Sequence, residues 1–466
     1  MSARKASRRT KPSIPTVRFS TWQHELLTKA ITALDQQFDP GCALLIHPAA
    51  EKFRSVGESL CYAALLLAEQ SCEPTPNPAR IARANAIIDA ILATQLTTNS
   101  VSGAFPLAWA PDGGAANLAD PDTRQTVGSM LGFLARRFPD CLGEARVRQT
   151  DIALRRCCLG GRSGTLEAAH LQMMHAWLDQ EYGYDLGGES LAASITRQPR
   201  EFLRAARFGN PEVVGQQLWS VGLWFHNAKL VNWAARLGWE MWQDVIAWRH
   251  PDLSTFFGAG VRADLVPQEG SPSLEQLCQW LSWLELVEHS DHLDLSDPRA
   301  AAALAMPVLA AQRDATAVRK AFDAQPKERA ITKELPGLHL SGWFEKNLHI
   351  EAAQWPESRR GATVMAAYWP TRGGLAQLRC RTTKGNTVHC HKRFVRLRRP
   401  GVADIQISGL GPGEARMIED GWWLAGLHMG VEGFQITEAR RTEDGLRLNL
   451  QATVDEPLLF FAPLPG

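Results

Sequence analysis

From Thr21 to about Asp323 the apolar residues of the chain return with the period of an α-helix. Trp22, Leu26, Leu27, Ala30, Ile31 and Leu34 share one face of a helix of about 3.6 residues per turn, and so do Ile81, Ala84, Ile87, Ile88 and Ile91. Similar stretches start near Val56, Thr126, Ala145, Leu166, Val213, Asn232 and Leu274, the last with Ser273 and Gln276 in capping-box register. The pattern predicts roughly ten amphipathic helices packed on one another. No fixed-period repeat runs through them, so a solenoid is not expected, whereas helix pairs closing into a ring would bury the same stripes.

After the polar segment "DAQPKERAITKELPG" the period changes to two. "LRLNL" alternates strictly, and Asp444-Gly445 and Gly385-Asn386 stand where hairpin turns belong. The chain therefore divides into a basic arm over 1–20, a helical part over 21–323, a link over 324–337 and an antiparallel β part over 338–466. This is an α+β order, not an alternating βαβ one.

Composition narrows the function classes. The 466 residues carry 50 basic and 49 acidic side chains, a net charge of +1, so no global field attracts nucleic acid. No apolar stretch is long enough to cross a bilayer, and the basic N-terminus is not followed by the apolar core of a secretory signal. Nine cysteines with no CxxC pair fit neither a disulfide framework nor a zinc knuckle, and a cytoplasmic location is expected. No Gly-rich phosphate loop follows a strand and no GxSxG occurs, so neither a nucleotide cofactor nor a serine nucleophile is expected.

Several short words carry candidate chemistry. Sixteen tryptophans stand against four tyrosines, and Trp109 lies among turn formers in "SGAFPLAWAPDGG", where a flat indole could stack on a sugar ring. Asn210-Pro211-Glu212 reads as a helix start with its cap, its proline and a carboxylate at the positive end of the dipole. In "GTLEAAHLQMMHAW", Glu167 and His170 stand three residues apart on one helical face, an arrangement in which a carboxylate orients an imidazole. "WRHPDLSTFFGAGVRAD" gives His250, a loop framed by Gly258 and Gly260, and Arg262, which could hold a carboxylate. His389 and His391 share a strand face without an evident third ligand, so no metal site is expected.

The order of "SGAFPLAWAPDGGAANLADPDT", "RSGTLEAAHLQMMHAWL", "FGNPEVVGQQLW", "WRHPDLSTFFGAGVR" and "RRGATVMAAYW" resembles the layout of heparinase II/III-like and chondroitin-lyase-like proteins. That resemblance spans most of Ser102 to Trp369. It implies an N-terminal (α/α) toroid of helix hairpins followed by an antiparallel β-sandwich, and a sugar substrate. Two words depart from the layout. Its Ser-Pro-Thr-Tyr corner stands here as Asn210-Pro211-Glu212-Val213, and its Thr-Asn-Ile word as Gly164-Thr165-Leu166-Glu167.

The resemblance implies β-elimination on a uronate-bearing oligosaccharide, with His250 or His170 as base, Arg262 and Arg360 on the carboxylate, Asn210 at the substrate, and Trp109 and Trp343 stacking on sugar. The two glutamates that replace the usual words leave a glycoside hydrolase open, with Glu167 and Glu212 as its carboxylate pair. A non-catalytic sugar-binding or scaffold protein on the same toroid is the third reading. A terpenoid-cyclase-like toroid lacks its DxDD word here.

Overall fold

A computed structural model of the chain describes residues 19–48, 50–72, 77–97, 101–111, 120–161, 169–183, 214–225, 231–250, 252–253, 255, 261, 274–286, 295–310, 315–335, 338–355, 361–384, 387–419, 421–443 and 445–464. The basic arm lies outside them, apart from Phe19 and Ser20. By its contacts the chain divides into two compact units. One comprises Met1–Arg207, Val214–Gly238 and Leu274–Ala315, the other Phe208–Val213, Trp239–Ser273 and Thr316–Gly466.

The helices are α1 (Thr21–Asp35), α2 (Val56–Gln70), α3 (Pro78–Thr94), α4 (Thr123–Arg137), α5 (Pro139–Leu142), α6 (Glu144–Gly161), α7 (Ala169–Tyr182), α8 (Val214–Trp224), α9 (Val231–Trp248), α10 (Leu274–Trp283), α11 (Pro298–Ala303), α12 (Ala305–Ala310) and α13 (Ala315–Asp323). Several start where local chemistry dictates. Ser20 and Gln23 form a reciprocal capping box, while Asn77 and Asp297 each cap a helix whose first residue is proline. The stripes read from sequence face inward, with Leu26, Leu27, Ala30, Ile31 and Leu34 of α1 and Ala84, Ile87, Ile88 and Ile91 of α3 all buried.

In the first unit five helices close a cycle: α2 packs on α4, α4 on α7, α7 on α8, α8 on α12, and α12 on α2. Its members run in a common direction where paired contacts can be followed. Along α4 and α7, Gly128 approaches Leu178 and, one turn on, Gly132 accepts a 2.9 Å hydrogen bond from the Tyr182 hydroxyl. Along α7 and α8, His170 meets Gln216, and Met173 then meets Ser220 at 3.6 Å. Glycine is required at two of these crossings. A Cβ at Gly132 would sit 2.9 Å from the Tyr182 ring, and one at Gly222 would sit 2.6 Å from Ala310 Cβ.

A short strap joins the starts of α2 and α4. Leu107 accepts from the Val56 amide at 3.4 Å, while Phe105 exchanges hydrogen bonds of 2.9 and 2.7 Å with the Thr123 hydroxyl. Two residues of extended chain reach about 7 Å, so the first turns of α2 and α4 lie side by side. The N-terminal ends of α2, α4, α7 and α8 thus face the same end of the ring. The strap belongs to a four-stranded sheet, β1 (Phe38–Asp39), β2 (Leu44–Ile46), β3 (Arg54–Ser55) and β4 (Ala108–Trp109), in that order. These strands of two or three residues lie between the helices of the stretch from Thr21 to Asp323 and are too short to carry a period of their own.

The second unit holds the end of α9, most of α13 and two antiparallel sheets. Its strands are β5 (Arg329–Leu335), β6 (Leu338–Glu345), β7 (Leu348–Gln354), β8 (Thr363–Thr371), β9 (Gly374–Thr382), β10 (Thr387–His391), β11 (Phe394–Arg398), β12 (Val402–Ser408), β13 (Ala415–Ile418), β14 (Gly421–Leu424), β15 (Leu427–Glu432), β16 (Phe434–Thr442), β17 (Gly445–Ala452) and β18 (Leu458–Pro463). The eight-stranded sheet has the order β16-β17-β12-β9-β8-β7-β6-β5 and the six-stranded sheet the order β10-β11-β18-β15-β14-β13. Strand β5 lies within the stretch read from sequence as a link.

The two sheets pack through β10 against β6 and β7, and Trp369 Nε1 donates to the Ala425 carbonyl at 3.0 Å. Alternate residues such as Leu446, Leu448 and Leu450 on β17 and Ala403, Ile405 and Ile407 on β12 are buried, as the strict alternation in "LRLNL" predicts. A helical half followed by an antiparallel two-sheet half makes this an α+β chain, a ring of helices and a β-sandwich.

Candidate functional site

The described candidate residues fall into two groups, one in each unit. His170 and Trp109 belong to the helical ring, His250 and Trp343 to the β unit. Glu167, Glu212, Asn210, Arg262 and Arg360 lie outside the described residues.

At the N-terminal end of the ring, His170 sits in the first described turn of α7 and is 8% exposed. Burial holds its imidazole below the ordinary 6.5, against the opposing hydrogen bond to Gln216 of α8. A neutral imidazole at such a position can accept a proton. Trp109 is half-buried on β4, where it pairs with Arg54 of β3. Arg54 is tied back by Asp39, with its Nε at 2.9 Å and its Nη2 at 2.5 Å from Oδ2. Strand β3 runs directly into α2, so Trp109 stands beside the start of that helix.

The first turn of α2 carries a residue the sequence reading missed. Glu58 accepts a hydrogen bond from the Ser55 hydroxyl. Burial raises its carboxyl above the ordinary 4.5, and the charge of Asp297, the cap of α11, acts in the same direction. The backbone hydrogen bond at Glu58 and the charges of His47 and Arg299 oppose the rise without cancelling it. A carboxyl whose proton affinity is raised is better suited to act as a general acid than an ordinary one. Asp297 and Arg299 are remote from it in sequence and no motif joins them; the one local signal is a Ser-x-x-Glu word, Ser55 to Glu58, at the head of an apolar run.

In the β unit His250 is fully committed. Its Nδ1 accepts from the amides of Asp252 at 3.1 Å and Leu253 at 3.0 Å, so the proton is on Nε2, which donates to the Glu345 carbonyl at 2.7 Å. The ring is wholly buried, and burial lowers its affinity for a second proton. It therefore has no lone pair to offer a substrate in this arrangement and acts as a tie between a turn and the end of β6.

Trp343 lies on the opposite face of β6 from Phe344, the residue His250 packs against at 5.1 Å. Its Nε1 donates to Glu345 Oε2 at 3.0 Å, and Arg393 of the other sheet grips the same carboxylate at 2.7 and 2.8 Å. The sheet thus separates Trp343 from His250.

Behind His250 is a second unanticipated cluster. His349 is wholly buried, shares a 2.8 Å hydrogen bond between Nδ1 and the Thr255 hydroxyl, stacks on Tyr368 at 5.0 Å, and turns Nε2 towards Glu351 at 3.6 Å. Glu351, equally buried, accepts from the Val261 amide at 3.0 Å and is hydrogen-bonded to Tyr368. Burial holds His349 well below 6.5 and Tyr368 well above 10.0. Arg329 completes this wall by capping the last turn of α9, with its Nη2 at 3.2 Å from the Ala247 carbonyl and 2.8 Å from that of Arg249.

These imidazoles give the protein an acid-sensitive stability. His170, His250 and His349 all have folded affinities for protons below the unfolded value of 6.5. Below that pH the unfolded chain binds more protons than the folded one, so stability is present above it and lost as pH falls. Urea midpoints measured from about pH 7.5 to about pH 5.5 are expected to decline, and His349→Gln to flatten the decline.

Among the described residues no group of three or more His, Cys, Asp or Glu could hold a metal ion, and His389 and His391 lie exposed on β10. No described helix is long and apolar enough to cross a membrane.

Comparison with protein families and with curated proteins finds no match. Among solved structures the chain is similar to the Streptomyces coelicolor A3 chondroitin AC lyase in complex with chondroitin sulphate, at 11% identity and a TM-score of 0.40, covering 95% of this chain and 77% of that one. It is also similar to a mutant of a reducing-end-xylose releasing exo-oligoxylanase, at 14% identity and a TM-score of 0.33, covering 66% of this chain and 90% of that one.

Proposed function

We propose that the chain is a carbohydrate-active enzyme that cleaves a uronate-bearing oligo- or polysaccharide by β-elimination at the N-terminal end of its helical ring. The observation that carries this reading is the joint presence there of a buried imidazole with lowered proton affinity, His170, a half-exposed indole, Trp109, and a carboxyl with raised proton affinity, Glu58. In the proposed step His170 takes the proton from the carbon next to the uronate carboxylate. The bond to the leaving oxygen breaks as the carbon–carbon double bond forms, and Glu58 protonates the leaving oxygen. The positive ends of α2, α4, α7 and α8 favour the negative charge that develops on the substrate carboxylate. His250 is left out of the proton transfer because both its nitrogens are committed.

The raised carboxyl of Glu58 also favours a second reading, hydrolysis, with Glu58 as acid and Asp297 as the partner carboxylate. A panel of uronate-bearing and neutral oligosaccharides separates the two. Elimination gives ultraviolet absorbance from a new unsaturated uronate and is lost with Glu58→Gln. Hydrolysis gives new reducing ends without absorbance, and binding without either product indicates a sugar-binding protein. Trp109→Ala is expected to raise KM about tenfold or more with a smaller change in kcat, the loss of a stacking contact.

A further inference from the structure

The outer face of the eight-stranded sheet carries a line of cationic and amide side chains with few partners of their own. Directly paired residues lie on the same face of a sheet, and the registers align Arg440 of β16 with Arg447 of β17, Arg447 with Gln406 of β12, and Gln406 with Arg379 of β9. Four strands at about 4.8 Å spacing make a row of about 14 Å. Two arginines face each other directly in it, an arrangement that destabilises a sheet unless a counter-charge is at hand.

The row differs from its neighbours in what remains unspent. In the next row Asn449 donates to Glu438 at 2.7 Å, and Asp404 is gripped by the Nε and Nη2 of Arg447, both at 2.9 Å. On the other side Gln377 donates to the Tyr368 hydroxyl at 3.1 Å. Within the row, the side chains of Arg440 and Gln406 are exposed and make no hydrogen bond or ion pair among the described residues. Arg379 is half-buried and its Nε has no hydrogen-bond partner. Arg447 keeps one Nη free of Asp404, and its side chain is 57% exposed. No carboxylate stands in the row.

We propose that Arg440, Arg447, Gln406 and Arg379 form a binding strip for the chain of an anionic polysaccharide, whose carboxylates pair with Arg440, Arg379 and the Nη of Arg447 that Asp404 leaves free, and whose hydroxyls take the amide. A guanidinium holds a carboxylate through paired hydrogen bonds, and an amide donates to and accepts from hydroxyls, so a row mixing the two fits an acidic sugar chain. The inference takes its substrate class from the reading above and adds a site that holds polymer without cutting it.

The test uses the full chain carrying His170→Ala, so that polymer is not consumed, and measures binding of a uronate homopolymer by calorimetry at two salt concentrations. Arg440→Gln combined with Arg379→Gln is expected to raise Kd roughly tenfold per arginine and to flatten the salt dependence, while Arg398→Gln on β11, the same change of charge elsewhere, leaves both unchanged. Circular dichroism checks that the double variant is folded, and Gln406→Ala, which changes no charge, gives an independent expected weakening. Equal binding by wild type and double variant overturns the strip. So does equal binding of a neutral glucan, or preference for duplex DNA of matched charge. Polymer binding that depends on the strip without cleavage by the wild type leaves this inference standing and removes the proposed activity, whereas cleavage of short substrates with no strip-dependent polymer binding does the reverse.

Discussion

Replacing His170 with alanine is expected to lower the rate of sugar cleavage by roughly a hundredfold to ten-thousandfold, the range for loss of a general base. The fold should survive, because the imidazole lies in the first described turn of α7 and its hydrogen bond is to the side chain of Gln216. The pH profile gives a readout that packing alone would not move. A base works once it has lost its proton, and burial keeps His170 deprotonated to below 6.5, so the acidic limb of activity should lie below that value. Gln216 acts in the opposite sense, favouring the protonated ring, so Gln216→Leu should shift the acidic limb further down while preserving much of the rate. An unshifted limb with Gln216→Leu, or full activity in His170→Ala, removes this residue from the proton transfer.

Glu351→Ala should be the most destabilising single change in the β unit, costing about 3 to 5 kcal/mol, the range for removing one member of a buried polar pair. The carboxylate is wholly buried and serves three partners: the Val261 amide at 3.0 Å, Tyr368, and His349 Nε2 at 3.6 Å. Alanine leaves each of them without that oxygen and opens a void between β7 and the turn residues that lie over it. Glu351→Gln keeps the shape and one acceptor, so it should cost much less. Denaturant midpoints for the two variants measure the difference, and equal losses would mean that packing volume rather than the polar partners holds this wall together.

How much of this was legible in the sequence depended on the range of the interaction that decides each feature. The inward faces of α1 and α3 and the alternation of β17 are local consequences of period, and they were read residue by residue. Helix starts near Val56, Ala145, Val213 and Asn232 fall within one residue of α2, α6, α8 and α9. The strap over Phe105 to Trp109 was not legible, because strands of two residues leave no pattern, yet it decides that Trp109 stands at the head of α2.

The fate of His250 was hidden for a different reason. Its partners are backbone amides and a carbonyl 95 positions away, and side-chain patterns do not encode those. Glu58 escaped notice because what raises its proton affinity is burial together with Asp297, which lies more than two hundred residues further along the chain. The separation of Trp343 from His250 follows from the alternation of β6, which places Trp343 and Phe344 on opposite faces.

The central claim is that the ring end formed by α2, α4, α7 and α8 eliminates rather than hydrolyses. The most direct measurement is digestion of a uronate-bearing oligosaccharide in heavy-oxygen water, with the fragments weighed by mass spectrometry. Elimination predicts fragments whose masses sum to that of the substrate, an unsaturated uronate at one new end and no solvent oxygen at either. Incorporation of one heavy oxygen per cleavage would contradict the account and transfer the chemistry to a pair of carboxylates that includes Glu58.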